Sequence, residues 1–252
     1  MYVLDELTQI YFRLIKNLCT FAIKMAKVLR LGIKNKHNEN NRPDVQFDKN
    51  GIHAMNKNFN FFTVSIFCDC DYKDIVSAIY QIKKTQIESN KIEIREEKSI
   101  IEEYYNPPSG GAHLPQFTCW ESEKYPNKVF FISNYEDGLY TLCKAIHRIV
   151  GKILIICSLS NKTNISNPFF QFYYSDSNLN ERSIMAYKDE RWIFYEEGTP
   201  LYFENICNYK NKYIKRRLNN DIIIEYLKNL GIDLWEIDQS IVNSTAYKQN
   251  RW

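Results

Sequence analysis

Residues 128–149 read KVFFISNYEDGLYTLCKAIHRI, and the fold class is read from them. The first part, Val129–Ile132, is an unbroken apolar and aromatic run of the kind that suits a pleated, well-covered strand. After Ser133 the period changes. Leu139, Leu142, Cys143, Ile146 and Ile149 fall on one side of a 3.6-residue turn, which predicts an amphipathic helix over 134–150 with Asn134 as its cap. The next run, KILIICSL at 152–159, is apolar throughout and reads as a second covered strand. The same order occurs earlier. VSIFCDCDYKDIVSAIYQI at 64–82 runs from a strand (59–68) through a Tyr-x-Asp turn into a helix (72–85) whose Ile75, Ile79 and Ile82 share a face and whose start Asp71 can cap. Two strand–helix units of this kind predict an α+β domain, with a mixed, mainly antiparallel sheet and its helices packed on one face.

On either side of these units, residues 92–95, 117–121, 169–175, 182–187 and 191–195 have the β-branched and aromatic content of further strands. NPPSGGAHLP at 106–115 contains three prolines and two glycines, so it is a loop. In RWIFYEEGTPLYFE at 191–204, Trp192 and Phe194 alternate onto one face, Gly198–Pro200 forms a corner, and Phe203 anchors the next helix; Glu196 and Glu197 are expected at the surface. The tail is expected to be helical over 204–217 and again over 221–230, where Gly231 closes the second helix.

Residues 4–31 carry apolar side chains spaced by three and four (Leu4, Leu7, Tyr11, Leu14, Leu18), an amphipathic helix ending near Gly32. Such a helix packs on its own domain, meets a partner or a second copy, or adsorbs to a membrane surface. The polar, Asn-rich stretch from 35 to 58 reads as a linker. The chain is therefore divided into an amphipathic helix at 1–34, the linker at 35–58 and an α+β domain at 59–252.

Of the 252 residues, 44% are hydrophobic and 25% charged, the balance of a globular protein with a full core. The net charge of +3 is too weak to argue for a nucleic-acid binder. It is unevenly placed. The first 36 residues hold seven basic side chains against Asp5 and Glu6, a local charge of +5, which leaves −2 on the remainder. The seven cysteines are odd in number, irregularly spaced and mostly within apolar runs, which fits buried thiols in a reducing compartment. Cys68-Asp-Cys70 is the one close pair, a poor zinc motif without further ligands nearby. The longest uncharged run near the start, Asn17–Ile23, is far short of a membrane span, so a cytoplasmic protein is expected.

Phosphate loops and the common hydrolase motifs are missing from the sequence. Three groupings merit a chemical reading. Cys143 and His147 lie one helical turn apart, but Cys143 sits on the apolar face and reads as a buried thiol beside a surface histidine. His113 lies in the Gly-Gly loop with Cys119 six residues on, the one place where a small enzyme centre over 106–121 can be sketched. YKNKYIKRR at 209–217 interleaves tyrosines with cations as single-stranded nucleic-acid sites do, although a structural ion pair, with Glu204 in range, is the favoured reading. The carboxylate pairs Glu96-Glu97, Glu102-Glu103 and Glu196-Glu197 read as solvated faces.

A longer pattern spans the C-terminal half: SNYEDGLYTL at 133–142, RSIMAYKDERWIFYEEGTPLYFEN at 182–205, YKNKYIKRRL at 209–218 and IIEYLKNLGID at 223–233. It resembles immunity proteins of bacterial polymorphic-toxin systems, those delivered by contact-dependent inhibition or type VI secretion. The resemblance covers about half the chain and leaves the first 55 residues outside it. It implies a protein that binds and blocks a cognate toxin, with no catalysis and with no cofactor or metal. It also implies a partner-binding face, for which Glu102, Glu103, Tyr104, Tyr105, His113, Glu196 and Glu197 are the candidates. No nucleic-acid partner is implied; membrane contact is left to the N-terminal helix.

Overall fold

The computed structural model describes residues 59–96, 101–161 and 167–251. The expected N-terminal helix at 4–31 and the linker at 35–58 lie outside the described residues. Nine strands form one sheet: β1 (Phe61–Cys68), β2 (Ile92–Glu96), β3 (Gln116–Ser122), β4 (Lys128–Ser133), β5 (Ile153–Ser160), β6 (Phe169–Ser175), β7 (Glu181–Lys188), β8 (Trp192–Glu197) and β9 (Ile241–Gln249). Their spatial order is β2-β9-β3-β4-β1-β5-β6-β7-β8. All eight pairings are antiparallel. The α-helices among the described residues are α1 (Tyr72–Glu88), α2 (Tyr140–Val150) and α3 (Asn220–Asn229). None of the described helices is long and apolar enough to cross a membrane.

The register explains why the central strands are apolar throughout. On β1, Phe62, Val64 and Ile66 belong to one buried cluster and Phe67 to another. On β4, Phe130 and Ile132 belong to the first, Val129 and Phe131 to the second. Alternate side chains point to opposite faces of a strand, so the two clusters lie on the two faces of the sheet. Helices α1 and α2 close one face through Ile75, Ile79, Leu142 and Ile146. Helix α3 closes the other through Ile222, Ile223 and Leu227, together with the irregular chain on either side of it. Each fully buried aliphatic side chain contributes about 1.5–3 kcal/mol. The expectation of helices on one face is therefore corrected: the sheet is covered on both faces, which is what a strand without polar alternation requires.

Other boundaries differ for local reasons. Helix α2 starts at Tyr140, six residues later than the apolar period suggests. Asn134 does not cap it. Its amide instead donates to the Leu114 carbonyl at 3.0 Å and accepts from the Gln116 N–H at 2.9 Å. Asp137 accepts from the Leu139 N–H at 3.0 Å. Gly138 lies at φ +65° with the Thr63 side chain so close that an added Cβ would sit 2.5 Å from it. Asp71 occupies the N-cap position of α1, yet its side chain makes no capping hydrogen bond. Helix α3 has a cap that the sequence reading does not name: Asn219 accepts from the Ile222 N–H at 3.2 Å.

Two differences are larger. Residues 204–217 do not form a helix but two 3-10 turns, Asn208–Lys210 and Ile214–Arg216. Asn205 accepts from the Cys207 N–H at 3.2 Å and Asn211 from the Tyr213 N–H at 3.0 Å. Asparagine side chains that satisfy nearby backbone donors in this way compete with helix formation. Strand β9 has no counterpart among the strands expected from the sequence. It inserts between β2 and β3, where Tyr247 stacks on Phe117 at 4.8 Å and Thr245 bonds the Tyr72 hydroxyl of α1.

Candidate functional site

The corner at 191–204 is organised by a residue that no sequence motif marks. Arg182, on β7, is 2% exposed. Its Nε donates to both carboxylate oxygens of Glu204, at 3.0 and 3.2 Å, and Nη2 donates to Glu204 Oε2 at 2.8 Å. Nη2 also reaches Glu196 Oε2 at 2.7 Å, while Nη1 donates to the carbonyls of Gly198 and Glu197 at 3.0 and 3.3 Å. Burial works against the guanidinium charge, but the hydrogen bonds to Glu204 and Glu196 more than offset it, so its pKa is raised. The Glu204 side chain is 0% exposed. It also accepts from the Leu201 N–H at 2.9 Å and the Tyr209 hydroxyl at 2.7 Å. Tyr209 and Tyr226 of α3 share a further hydrogen bond at 2.7 Å.

The network fixes the backbone where no regular element does. Gly198 lies at φ +87°, and a Cβ there would stand 2.0 Å from the Glu181 carbonyl, so only glycine turns this corner. Trp192 stacks on Phe170 at 6.3 Å and Phe194 tilts over Tyr209 at 5.4 Å. Phe203 meets Phe172 at 6.0 Å and Tyr226 at 5.6 Å. Trp192, Phe194 and Phe203 are thus scaffold, as their spacing suggests. Tyr202 touches only the edge of Phe203, ring to ring at 5.1 Å, and is 87% exposed. Ile206 and Tyr213 are also exposed, as are Lys210, Lys212, Lys215 and Arg216. An exposed aromatic on a tethered segment loses little freedom when a partner covers it.

The basic cluster itself is rearranged relative to the expected helical face. Tyr209 is buried. Arg217 donates from Nε to the Asn211 carbonyl at 2.8 Å and lies over the Phe194 ring at 5.4 Å. Arg216 lies over Tyr213 at 5.3 Å. The partner of Glu204 is Arg182, distant in sequence, and not one of these cations.

The 106–115 loop packs on the 134–138 turn. His113 Nε2 bonds the Asn134 carbonyl at 2.8 Å, and its ring lies 4.3 Å from that of Tyr135. The Tyr135 hydroxyl donates to the His113 carbonyl. Ser109 donates to Glu136 Oε1 at 3.1 Å. Burial raises the Glu136 carboxyl, and its Oε2 is buried without a hydrogen-bond partner among the described residues. Cys119 belongs to other surroundings. It is buried on β3 beside Tyr72 and Thr245, with its thiol pushed up to about 12 by desolvation. His113 and Cys119 therefore have separate partners, and a thiol held at that value is not a thiolate nucleophile at neutral pH.

Cys143 and His147 also diverge. Cys143 Sγ faces the Gly138 carbonyl at 3.6 Å, its thiol pushed up to about 12 by burial. His147 is not the surface residue expected. It is 1% exposed, its Nε2 is 2.9 Å from Ser175 Oγ, and burial lowers its pKa. Beside it, Lys144 pairs with Glu181 and lies over the rings of Tyr140 and Tyr173 at 5.6 and 5.3 Å. A buried cation capped by two aromatic faces is a supported way to retain charge inside a protein. Cys68 and Cys70 are buried too, with thiols pushed up to about 11 and about 12 by desolvation. Among the described residues no three His, Cys, Asp or Glu side chains gather as a metal site.

The residues proposed for partner binding are scattered. Tyr104 is core, with its hydroxyl 2.5 Å from Thr118 Oγ1. Tyr105 packs on Phe62 at 5.0 Å and Phe59 at 5.6 Å. Glu103 is exposed, and the Glu102 side chain lies outside those described. Glu196 and Glu197 are exposed, the first held by Arg182 and the second bonded by the Tyr195 hydroxyl. The surface with the most unburied aromatic and cationic side chains is 202–216, which the sequence flags only through its charge. No family model matches the sequence, no curated protein matches it, and no solved structure matches its fold.

Proposed function

We propose that this chain is an immunity protein: it binds a co-inherited bacterial toxin in the cytoplasm and blocks it by covering the toxin's working surface. The observation that carries this reading is Tyr202, 87% exposed on a segment that the buried Arg182–Glu204 pair holds in place. The edge contact with Phe203 covers little of the ring, and a large ring left mostly in water adds little to a fold, whereas a rigid tyrosine is a strong contact residue. The resemblance of the 133–233 pattern to polymorphic-toxin immunity proteins supports the same reading, and so does the use of the reactive side chains. His113, Cys119, Cys143 and His147 are each engaged in internal packing or hydrogen bonds.

The test is co-expression with the toxin encoded beside the gene. Survival of the host, together with a complex that co-purifies through gel filtration, is the expected result. Killing that proceeds undiminished in the presence of the folded protein removes this reading for that partner.

A further inference from the structure

We infer that the face presented by residues 202–216 docks onto an acidic protein surface, with Tyr202 entering an apolar hollow that carboxylates surround. This inference rests on the toxin-binding reading and adds where the contact is made and what chemistry the partner presents.

Three observations lead to it. The first is apolar exposure concentrated on one segment: Tyr202, Ile206 and Tyr213 are all exposed. The second is unanswered charge. Lys210, Lys212, Lys215 and Arg216 are exposed, and none has an ion-pair partner among the described residues. The one carboxylate of the segment, Glu204, is buried and committed to Arg182. A partner with clustered Asp and Glu neutralises these four cations, and long-range attraction speeds the encounter. The third is pre-organisation. Glu204 accepts from the Leu201 N–H at 2.9 Å, one residue before Tyr202, and from the Tyr209 hydroxyl at 2.7 Å, one residue before Lys210. The exposed side chains thus leave from backbone that is already fixed, and the ordering cost of binding is small.

A nucleic acid fits the same face less well. Tyr209, one of the two tyrosines of the basic cluster, is buried. Arg217 is committed to the Asn211 carbonyl. The chain beyond residue 36 has 26 basic against 28 acidic residues, a net −2 that repels a phosphate backbone. The exposed Ile206 has no use in holding phosphates but suits an apolar protein contact.

The experiment uses the purified full chain and the polypeptide encoded by the adjacent toxin gene, with affinity measured at several salt concentrations. Tyr202→Ala is expected to weaken the complex by about 30-fold or more, as loss of a central anchor does. The double change Lys212→Glu and Lys215→Glu is expected to weaken it further at low salt and to flatten its salt dependence. Unchanged unfolding midpoints in urea establish that these exposed substitutions leave the fold intact. Cys207, exposed within the segment, gives a second readout: in a Cys19→Ser background its alkylation by maleimide slows in the complex. A tight complex indifferent to all of these changes, with Cys207 alkylated at the free rate, overturns the docking face and leaves the proposed function standing. No complex with the wild-type chain removes both. Tighter binding of a mixed single-stranded oligonucleotide than of the toxin at roughly physiological salt, lost in the double variant, overturns the protein partner in favour of nucleic acid.

Discussion

The two faces of the sheet are closed in different ways. On one, α1 and α2 lay regular apolar stripes over Phe67, Phe131 and Ile156, and the polar contacts there, Lys144 with Glu181 and His147 with Ser175, are made by side chains of the helix itself. On the other, α3 covers only part of the surface. Much of the rest is covered by irregular chain from Gly198 to Arg217, folded around Arg182 and Glu204, and by Ile232, Leu234 and Ile237 beyond the helix. A helix satisfies its own backbone and can be added to a sheet for its side chains alone. An irregular segment cannot, so it needs buried polar groups to hold its turns. The contrast bears on the proposed docking face. Helices present solvated, interchangeable residues, whereas the tethered segment offers fixed and unusual ones.

The most severe test of this contrast is Glu204→Ala. It leaves Arg182 charged and buried without its main partner, a loss expected to be about 3–5 kcal/mol. Urea unfolding measures the total, and hydrogen exchange is expected to show 198–217 opening before the rest of the domain. Replacing both residues at once, Arg182→Met with Glu204→Leu, removes the stranded charge and should cost much less. If the double variant is as unstable as the single one, the network is not what holds this face. A somewhat smaller effect is expected on the helical face. Ile146→Ala leaves a cavity under α2 worth about 3 kcal/mol, with exchange rising evenly across the domain and no local opening.

The smallest effect concerns pH. Burial lowers the pKa of His147 in the folded chain below its ordinary value of 6.5, with Lys144 and Arg148 adding to the shift and Glu181 opposing it. As pH falls through that value the unfolded chain takes up the proton first. The stability associated with the neutral imidazole is full above that pH and declines below it, by at most ~1.4 kcal/mol per pH unit. His147→Gln keeps a hydrogen-bonding group near Ser175 and is expected to flatten the decline between about pH 7 and pH 5, read from thermal unfolding.

Legibility in the sequence obeys the same division. β1, α1, β4, β5 and the meander β6–β8 are legible because each carries its signal, an apolar run or a period, within its own residues, and α3 is legible because its helix closes at Gly231. The start of α2 is hidden because Asn134 spends its side chain on Leu114 and Gln116, far back along the chain. Residues 204–217 look helical because tyrosines and cations recur at helical spacing, but Glu204 turns toward a guanidinium on β7 and the asparagines close local turns. β9 escapes notice because its buried side chains are few, Thr245 and Tyr247, and apart from Val242 its exposed ones are polar. Of the candidate site, the charge is visible in YKNKYIKRR. The exposure of Tyr202 is not, since only the packing of its neighbours Leu201 and Phe203 decides it.

The place of β9 has a consequence for how the protein is made. β2 and the outer edge of β3 both wait for a strand that begins at Ile241, about 145 residues after β2 ends. At translation rates of about 5–20 residues per second, that interval is roughly 7–30 s on the ribosome. Once β3 has itself been made, its edge stays open for the remainder of that interval, a template for any stray extended segment. A nascent chain with so long a wait is a natural client for a holding chaperone, and the yield of intact protein depends on how promptly that final strand is threaded in.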